Sequence, residues 1–322
     1  MGSSAATVAV VMRTYERPVM LARALASVQQ QTHRDFHLVV VNNGGEPGPV
    51  DSVVDIARQM DPSVRISVLH LEDRYGMEAA SNWGLAEAAG AGFFVIHDDD
   101  DSWHPRFLES TVAAMAANPD AVAVVTGVVK AHEMYKDGRV WPVRHEDFWL
   151  VPERLTFEGL VGNNTFPPIA ALFRTSLLDT VGNYDASLPV LGDWEFNLRA
   201  VRAGRFGFVP ERLANYHVRL PGSDVAAGNS ITNGMDLHAR IKQDLQQKWM
   251  SLPGDGTRSM GEMSVAGSAE MDALEERNRA AVHAIAPQPF VVRQVGRVLR
   301  GLGSPRRSAH AVVRRVRNKA GW

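Results

Sequence analysis

Short apolar runs alternate with helical patterns over the first hundred residues of the chain. The runs are rich in valine and other β-branched or aromatic residues, which is typical of strands that are buried on both faces. Between the runs, apolar residues recur with the spacing of one face of a helix. This alternation predicts an α/β fold in which a Rossmann-like, mostly parallel sheet is flanked by helices. The predicted strands are 7–12, 36–41, 64–69 and 93–96, and the predicted helices are 19–31, 50–60 and 78–89.

The second half of the chain is less regular. We interpret the proline-, tryptophan- and charge-rich stretch that ends at residue 152 as loops or an extended insertion. A main domain is therefore expected over 1–230, with halves that meet near residue 105, followed by a helical extension over 231–286. Further predicted elements are helices at 107–117, 192–202, 235–250 and 271–284, strands at 121–129 and 206–209, and a flexible linker at 251–269.

Each of the first four predicted strands ends in a polar cluster. The clusters are 13–17, 42–43, 73–74 and 98–101, the last being four consecutive aspartates. Because the carboxyl ends of parallel strands share one edge of a sheet, a nucleotide or sugar phosphate bound there would meet all four clusters. The aspartates alone allow two interpretations: they hold a divalent cation, or they form a solvated turn that caps a helix beginning near Pro105.

Five segments, in order and spacing, carry a resemblance to a known family. They are VAVVMRTYERP, QTHRDFHLVVVNNGG, GMEAASNWGLAEAAGAGFFVIHDDDDSWHP, FPPIAALFRTSLLDTVGNYDASLPVLGDWEFNLRAVRAG and YHVRLPGS. Over about residues 7–225 the chain resembles the inverting nucleotide-sugar glycosyltransferases of glycosyltransferase family 2, which have the GT-A fold. The resemblance implies transfer of a sugar from a nucleoside-diphosphate sugar to the hydroxyl of a carbohydrate, lipid-linked or small-molecule acceptor, in polysaccharide, glycolipid or secondary-metabolite glycosylation.

The resemblance identifies the acidic run with the family's DxD motif, and this favours the metal interpretation. Asp100 is then the expected ligand of Mn²⁺ or Mg²⁺, which would offset charge on the departing nucleoside diphosphate. Asp101 is interpreted as a helix-capping or supporting carboxylate. His217 is the second expected metal ligand, and the alternative is that Arg219 binds phosphate directly.

The donor-binding residues follow from the same resemblance. Asn43 stands where many family members have an aspartate that reads the nucleobase, and an amide offers both a donor and an acceptor for that purpose. Ser81 stands where an arginine facing the diphosphate is expected, and Arg74 is the candidate replacement, with a solvated arginine as the alternative. The expected donor-binding residues are Thr14, Tyr15, Glu16, Arg17, Asn43, Arg74, Asn82, Asp98 and Asp99.

Asp193, in the segment LGDWEFNLR, matches the position of the family's catalytic base. In an inverting transfer, one carboxylate takes a proton from the acceptor hydroxyl as that oxygen attacks the anomeric carbon. Glu195 is the alternative base if the alignment is displaced by two residues, and a purely structural Asp193 would only cap the helix. Trp194 is either an acceptor-stacking residue or part of the core.

The composition of the chain excludes several kinds of site. The chain has 322 residues, no cysteine and a net charge of −2, so thiolate metal sites and cysteine nucleophiles are excluded and nucleic acid is not an expected partner. No apolar run reaches the roughly 18 residues that span a bilayer. The first residues lack the pattern of a signal peptide, and a cytoplasmic location is expected.

Basic charge is concentrated near the C-terminus. No acidic residue follows Glu276, and nine lysines or arginines lie between Arg293 and Lys319. We interpret 287–322 as a basic amphipathic tail that associates peripherally with an anionic membrane through 290–319. The alternatives are a solvated tail and a helix that packs on the main domain.

Two other function classes remain as alternatives. A nucleotidyltransferase also uses strand-end carboxylates and a metal, but it typically needs a glycine-rich phosphate loop early in the chain, which RTYERP is not. A non-catalytic nucleotide- or sugar-binding module on a GT-A fold is the second alternative. The presence of both Asp193 and the acidic run counts against it.

Overall fold

The structure, a computed structural model, describes residues 7–137, 139–149, 155–220, 223 and 235–251. Most helices lie between successive strands in the chain order, as the sequence predicts. In chain order the elements are β1 (Val8–Thr14), α1 (Pro18–Gln29), β2 (Phe36–Asn43), α2 (Pro47–Met60), β3 (Arg65–Leu71), α3 (Met77–Glu87), β4 (Phe93–Asp98), β5 (Ser102–Trp103), α4 (Phe107–Ala117), β6 (Ala121–Lys136), β7 (Arg139–Trp149), α5 (Phe157–Gly162), β8 (Ala171–Arg174), α6 (Leu177–Val181), α7 (Gly192–Ala203), β9 (Arg205–Arg219) and α8 (Met235–Met250).

A single sheet in the order β3-β2-β1-β4-β8-β6-β9-β5 organises the described residues, with β7 paired to β6. Strands β1 to β4 are parallel to one another, β8 is antiparallel to β4, and β6 is antiparallel to β8. Strand β9 is parallel to β6, so both run in the direction of β1 to β4. The strand order reverses between β1 and β4, and open α/β sheets bind ligands at the carboxyl ends of strands beside such a reversal.

The core lies between this sheet and the helices packed on it. Every residue of β1 and β2 is buried, which accounts for their apolar runs at 8–12 and 38–41. Helix α1 begins at Pro18 and buries Leu21, Ala24, Leu25 and Val28, the face that its sequence period predicts. Trp194 is also in the core: it is 1% exposed, and its ring N–H donates to the carbonyl of Leu160 at 2.6 Å.

Helix α3 approaches the sheet most closely at Gly84. A Cβ atom there would overlap Cγ1 of Val11 in β1 and lie 3.0 Å from Cγ2 of Val41 in β2. Gly84→Ala is therefore expected to lower the free energy of unfolding by about 1–3 kcal/mol, as overpacking in a dense core does. Urea denaturation measures the change. The matched control is Gly48→Ala in α2, where a Cβ meets nothing within 4 Å and no loss is expected; equal losses in both variants would contradict the close approach.

Strand β7 corrects one prediction. The stretch to residue 152 was expected to form loops or an extended insertion, but Arg139–Trp149 is a strand that pairs antiparallel with β6 in three registers separated by two shifts. Its side chains are mostly exposed, so the strand lacks an apolar signal. Pro142 is compatible with a strand that has only one partner, because an edge position tolerates the missing N–H.

Strand β9 corrects a second prediction, because it extends over Arg205–Arg219 rather than 206–209. Pro210 and Glu211 resemble a turn in the sequence, but the register with β6 shifts on both sides of Gly127 opposite them. Such a bulge absorbs extra residues without ending the strand. The extended strand carries His217 and Arg219 to the same edge as the four aspartates.

The C-terminal region is described only as far as Ser251. Helix α8 has the bounds that the sequence predicts, and it buries Leu245 and Trp249, with the Trp249 ring 6.0 Å from that of Phe157. The predicted linker beyond Ser251, the helix at 271–284 and the basic tail at 287–322 lie outside the described residues, so the domain boundaries stay predictions. Within the described ranges, no helix combines the length and hydropathy required to cross a membrane.

Candidate active site

The acidic run lies where β4 ends beside β1. Asp98 is the last residue of β4 and pairs in register with Arg13, whose guanidinium also binds its carboxylate. The hydroxyl of Thr14 donates to Oδ2 of Asp99 at 2.7 Å. The chain then turns, with the N–H of Asp101 donating to the carbonyl of Asp98 at 3.2 Å. The carboxyl ends of two neighbouring strands thus hold the aspartates in place.

Two arginines that are distant from each other in the sequence bind Asp100. Arg17, just before α1, donates to Oδ2 at 2.9 Å, and Arg219 at the end of β9 binds the same oxygen. Arg23 of α1 also donates to the backbone carbonyl of Asp100. Burial raises the pKa of Asp100, but Arg219 and Arg17 lower it by more, so that the pKa is below its usual range. Asp100 is therefore ionised at neutral pH.

At the neighbouring Asp99 and Asp101, nearby positive charge does not outweigh the effect of burial on the pKa. Burial raises the pKa of Asp99 to about 6, although Arg17 opposes the shift. Burial, and then the charge of Asp100, raise the pKa of Asp101 well above its usual value. Oδ1 of Asp101 accepts the backbone N–H of His217 at 2.8 Å, which ties the acidic turn to β9. The helix-capping interpretation of Asp101 is wrong, because the N-cap of α4 is Arg106 and has no side-chain cap.

Two of the described side chains bind the ring of His217. The ring Nδ1 donates to Oε2 of Glu133 at 2.9 Å, and Nε2 accepts the hydroxyl of Ser102 at 2.9 Å. Burial and Arg23 lower the pKa of His217, in keeping with a neutral ring. The lone pair that a metal would need is therefore directed at Ser102. Between the two alternatives for this segment, the structure places Arg219 rather than His217 against Asp100, while a ligand role for His217 stays a prediction.

The acidic run has the chemistry of a divalent-cation site that is completed by a substrate. Both arginines bind Oδ2 of Asp100, and none of the described residues donates to Oδ1. The Asp98 side chain is 29% exposed. The described residues contain no group of three or more His, Asp or Glu arranged to hold a metal by themselves. Since Mg²⁺ typically takes one or two carboxylates plus substrate phosphates, these oxygens fit Mn²⁺ or Mg²⁺ together with a diphosphate.

The predicted donor loop lies beside this site. The guanidinium of Arg74 stacks over the ring of Tyr15 at 4.2 Å, which brings two predicted donor residues from separate loops together. Glu16 adopts a left-handed backbone with φ of 52°. Asn43 donates to the carbonyl of Gly76 at 3.0 Å and accepts the N–H of Tyr75 at 3.0 Å. Its amide fixes the loop before α3, and its role in reading a base stays a prediction.

Asn82 holds a loop of the second half of the domain. Its Nδ2 donates to the carbonyl of Tyr184 at 2.8 Å, and its Oδ1 accepts the N–H of the same residue at 3.0 Å. This pair of bonds orders the chain that leads into α7. The structure thus gives Asn82 a supporting role, and direct contact with a donor remains untested.

Asp193 is the second residue of α7, as its predicted place at a helix start requires. Oδ2 accepts an N–H of Asn164 at 2.9 Å. Burial raises the pKa of Asp193; the Asn164 hydrogen bond lowers it, and Arg13 and Asp98 are near enough to influence it. The alternative base, Glu195, is 3% exposed and forms an ion pair with Arg199 at 2.8 Å. The geometry favours Asp193.

The sequence analysis missed the residues that support this site. Arg23 and Glu133 form a buried ion pair at 2.6 Å. Burial raises the pKa of Glu133, but the charge of Arg23 and the hydrogen bonds from His217 and Arg23 lower it by more, to about 2. Glu78, on α3, accepts the N–H of Gly192 at 3.1 Å, and burial raises its pKa to about 7 against the charge of Arg13. One signal was present: Arg23 interrupts the apolar face of α1, and a charge in that position is buried only with a partner.

The sequence is similar to those of known glycosyltransferases. The family model described as "Glycosyl transferase family 2" matches residues 9–182. The chain is 30% identical over 240 residues, 74% of its length and 82% of the relative's, to an uncharacterized glycosyltransferase, YwdF, of Bacillus subtilis. It is 25% identical over 191 residues, 59% of its length and 68% of the relative's, to a PGL/p-HBAD biosynthesis glycosyltransferase of Mycobacterium bovis.

Solved structures show the same fold at low identity. S. aureus TarS 1–349 in complex with UDP aligns with a TM-score of 0.54 at 17% identity, over 87% of this chain and 75% of that one. GalNAc-T7 with UDP, GalNAc and Mn²⁺ aligns with a TM-score of 0.52 at 15% identity, over 86% of this chain and 55% of that one. The predicted fold class, a GT-A arrangement of a sheet flanked by helices, is confirmed.

Proposed function

The chain belongs to glycosyl transferase family 2, and on this premise we propose that it transfers a sugar from a nucleoside-diphosphate sugar to an acceptor hydroxyl with inversion at the anomeric carbon. One observation carries the proposal. At the edge where β1 and β4 end, the ionised carboxylate of Asp100 is bound by two arginines, and the neighbouring Arg13 and Asp98 lie near enough to the carboxylate of Asp193, at a helix start, to influence its pKa. The first arrangement suits a diphosphate and a cation, and the second suits proton abstraction.

Arg17 and Arg219 are the proposed diphosphate-binding residues. Guanidinium groups bind phosphate oxygens in bidentate geometry. Both arginines already converge on one atom, Oδ2 of Asp100. Tyr15 and Arg74 offer a stacked surface beside them for the nucleoside. The complexes of TarS with UDP and with UDP-GlcNAc, and of GalNAc-T7 with UDP, support a donor of this class.

Asp100 through Oδ1, together with Asp98, would hold the cation. When bound, Mn²⁺ or Mg²⁺ supplies Lewis-acid stabilisation of the departing nucleoside diphosphate. The Mn²⁺ in the GalNAc-T7 complex supports this assignment. The guanidinium of Arg13 binds the Asp98 carboxylate and holds it at this edge of the sheet.

Asp193 is the proposed base. The acceptor oxygen forms a bond to the anomeric carbon as the bond from that carbon to the diphosphate breaks, and the acceptor proton passes to the Asp193 carboxylate. Asn164 orients that carboxylate by donating to Oδ2. Polysaccharide, lipid-linked and small-molecule acceptors all present such a hydroxyl. The exposed Trp141 of β7 marks the β6–β7 hairpin as a surface for the acceptor.

A panel of UDP-, GDP- and dTDP-sugars tests the donor proposal by thermal shift, with Mn²⁺, Mg²⁺ or EDTA. At least one donor is expected to raise the melting temperature when a metal is present, since a ligand at 100 times its Kd stabilises a protein by about 2.7 kcal/mol. Free sugars and nucleoside monophosphates are the controls. If none of the diphosphate donors binds, the proposal fails.

Turnover assays distinguish the other function classes. They use the same donors and, separately, nucleoside triphosphates with sugar phosphates. Release of nucleoside diphosphate is expected for a glycosyltransferase. Release of pyrophosphate from a nucleoside triphosphate and a sugar phosphate would indicate a nucleotidyltransferase instead. Binding without release of any product, across a set of acceptors, would indicate a binding module.

A further inference from the structure

Glu78 is a buried carboxylate that the proposed reaction does not use. It lies in the first turn of α3, is 2% exposed, and accepts the N–H of Gly192 at 3.1 Å through Oε1. Its other oxygen, Oε2, is buried and has no hydrogen-bond partner among the described residues. Buried polar atoms without partners are uncommon and call for an explanation. Gly192 immediately precedes the candidate base, Asp193.

Glu78 occupies the space that a side chain at position 192 would take. A Cβ atom on Gly192 would overlap Cγ and Oε1 of Glu78 and lie 2.5 Å from its carboxyl carbon. Gly192 does not have a positive φ, so its backbone does not require glycine. The glycine is therefore explained by the approach of Glu78. Because α3 follows β3 and α7 precedes β9, the contact joins the two halves of the domain directly behind Asp193.

The entry into α7 is a strained segment that needs such support. Leu191, the N-cap of α7, has a left-handed backbone with φ of 62°, which is unfavourable for a residue with a branched side chain. The first N–H groups of a helix have no partner inside the helix. Glu78 accepts one of them. A carboxylate at this end of the helix also interacts favourably with the partial positive charge of the helix dipole.

We infer that Glu78 is a positioning residue for Asp193, acting through the N–H of Gly192. By accepting this N–H and filling the space beside it, Glu78 fixes the left-handed entry into α7 and with it the direction of the Asp193 carboxylate. The inference deepens the proposed function and rests on it for the role of Asp193. The contact between Glu78 and Gly192 can be tested without any activity.

Hydrogen exchange of the backbone amides at 191–195 is the activity-independent test. Glu78→Ala is expected to raise the exchange rate of the Gly192 amide, because its acceptor is gone. Glu78→Gln is expected to keep the protection, since the amide oxygen can accept the same N–H. Glu87→Ala, an exposed position at the end of the same helix, is the matched control and should leave this region unchanged.

Kinetics then separate positioning from general stability. In Glu78→Ala, kcat for sugar transfer is expected to fall by about 10- to 100-fold, as for a catalytic group displaced by a fraction of an ångström, while the KM for the donor stays within about twofold. Glu78→Gln is expected to keep kcat near the wild-type value. Gly192→Ala should reproduce the loss, because the new methyl group displaces Glu78.

Each outcome decides one idea. If Glu78→Ala leaves the Gly192 amide as protected as in the wild type, the inference is overturned, whatever the activity. If Glu78→Ala does not fold, Gly192→Ala and Glu78→Gln decide by the same exchange measurement. A changed exchange with kcat unaffected would overturn the positioning role. A wild-type chain that turns over no donor would defeat the proposed function instead, and the exchange result would still show whether Glu78 holds α7.

Discussion

Asp193→Asn is expected to lower kcat for sugar transfer by about 10²–10⁴-fold, the usual contribution of a general base. The amide has nearly the shape of the carboxylate but cannot take the acceptor proton. Donor binding should be unchanged, because the proposed donor contacts are made by Arg17, Asp100 and Arg219 and not by Asp193. Product formation under saturating donor and acceptor, with donor Kd measured in parallel, checks both expectations.

The control for this change is Asp179→Asn, an identical substitution at an exposed position of α6, which should behave as the wild type. The pH profile gives a second check. Burial raises the pKa of Asp193, and the base must be ionised, so kcat should decline with falling pH at a higher pH than for an exposed aspartate. Full activity in Asp193→Asn would exclude it as the base and turn attention to Glu195.

The parallel half of the sheet could be predicted because its signals are local. Residues 38–41 form an unbroken apolar run, and β2 is buried at every position. Strand β9 was underestimated for a physical reason: Pro210 and Glu211 look like a turn, and only the partner strand shows that a bulge near Gly127 carries the strand past them. Pairing between strands that are distant in sequence leaves no trace in a single segment.

The residues of the candidate site also fall into two groups, those that the sequence identified and those that it did not. The four aspartates and Asp193 were identified from local chemistry and a family resemblance, and in the structure Arg13 and Asp98 lie near enough to Asp193 to influence its pKa. Glu78 was not identified, because on α3 it has the sequence context of any first-turn acid. Its role depends on Gly192, 114 residues away in the chain. Residues that touch a substrate are constrained in type, whereas those that hold them in place are constrained by contacts that only the fold creates.

Asp100→Asn is expected to abolish the stimulation of transfer by Mn²⁺ or Mg²⁺. Lewis-acid stabilisation is worth several kcal/mol, on the order of 10²–10³-fold in rate, and the variant should lose this factor while its residual rate becomes independent of metal. Rates with each metal and with EDTA measure the factor directly. Asp120→Asn, an exposed residue after α4, is the matched control.

Stability should also fall in Asp100→Asn, and this separates two roles of the same carboxylate. Arg219 is 4% exposed, and Asp100→Asn removes the charge of its short ion pair while Glu133 stays 3.9 Å away. Breaking a buried ion pair costs about 3–5 kcal/mol, which is the upper limit of the expected loss. Asp100→Asn with Arg219→Ala removes both charges and should recover part of this stability, but it should not restore metal stimulation. If the single variant keeps the full stimulation by metal, Asp100 is not the ligand, and its carboxylate serves only to hold Arg17 and Arg219 at the edge of the sheet.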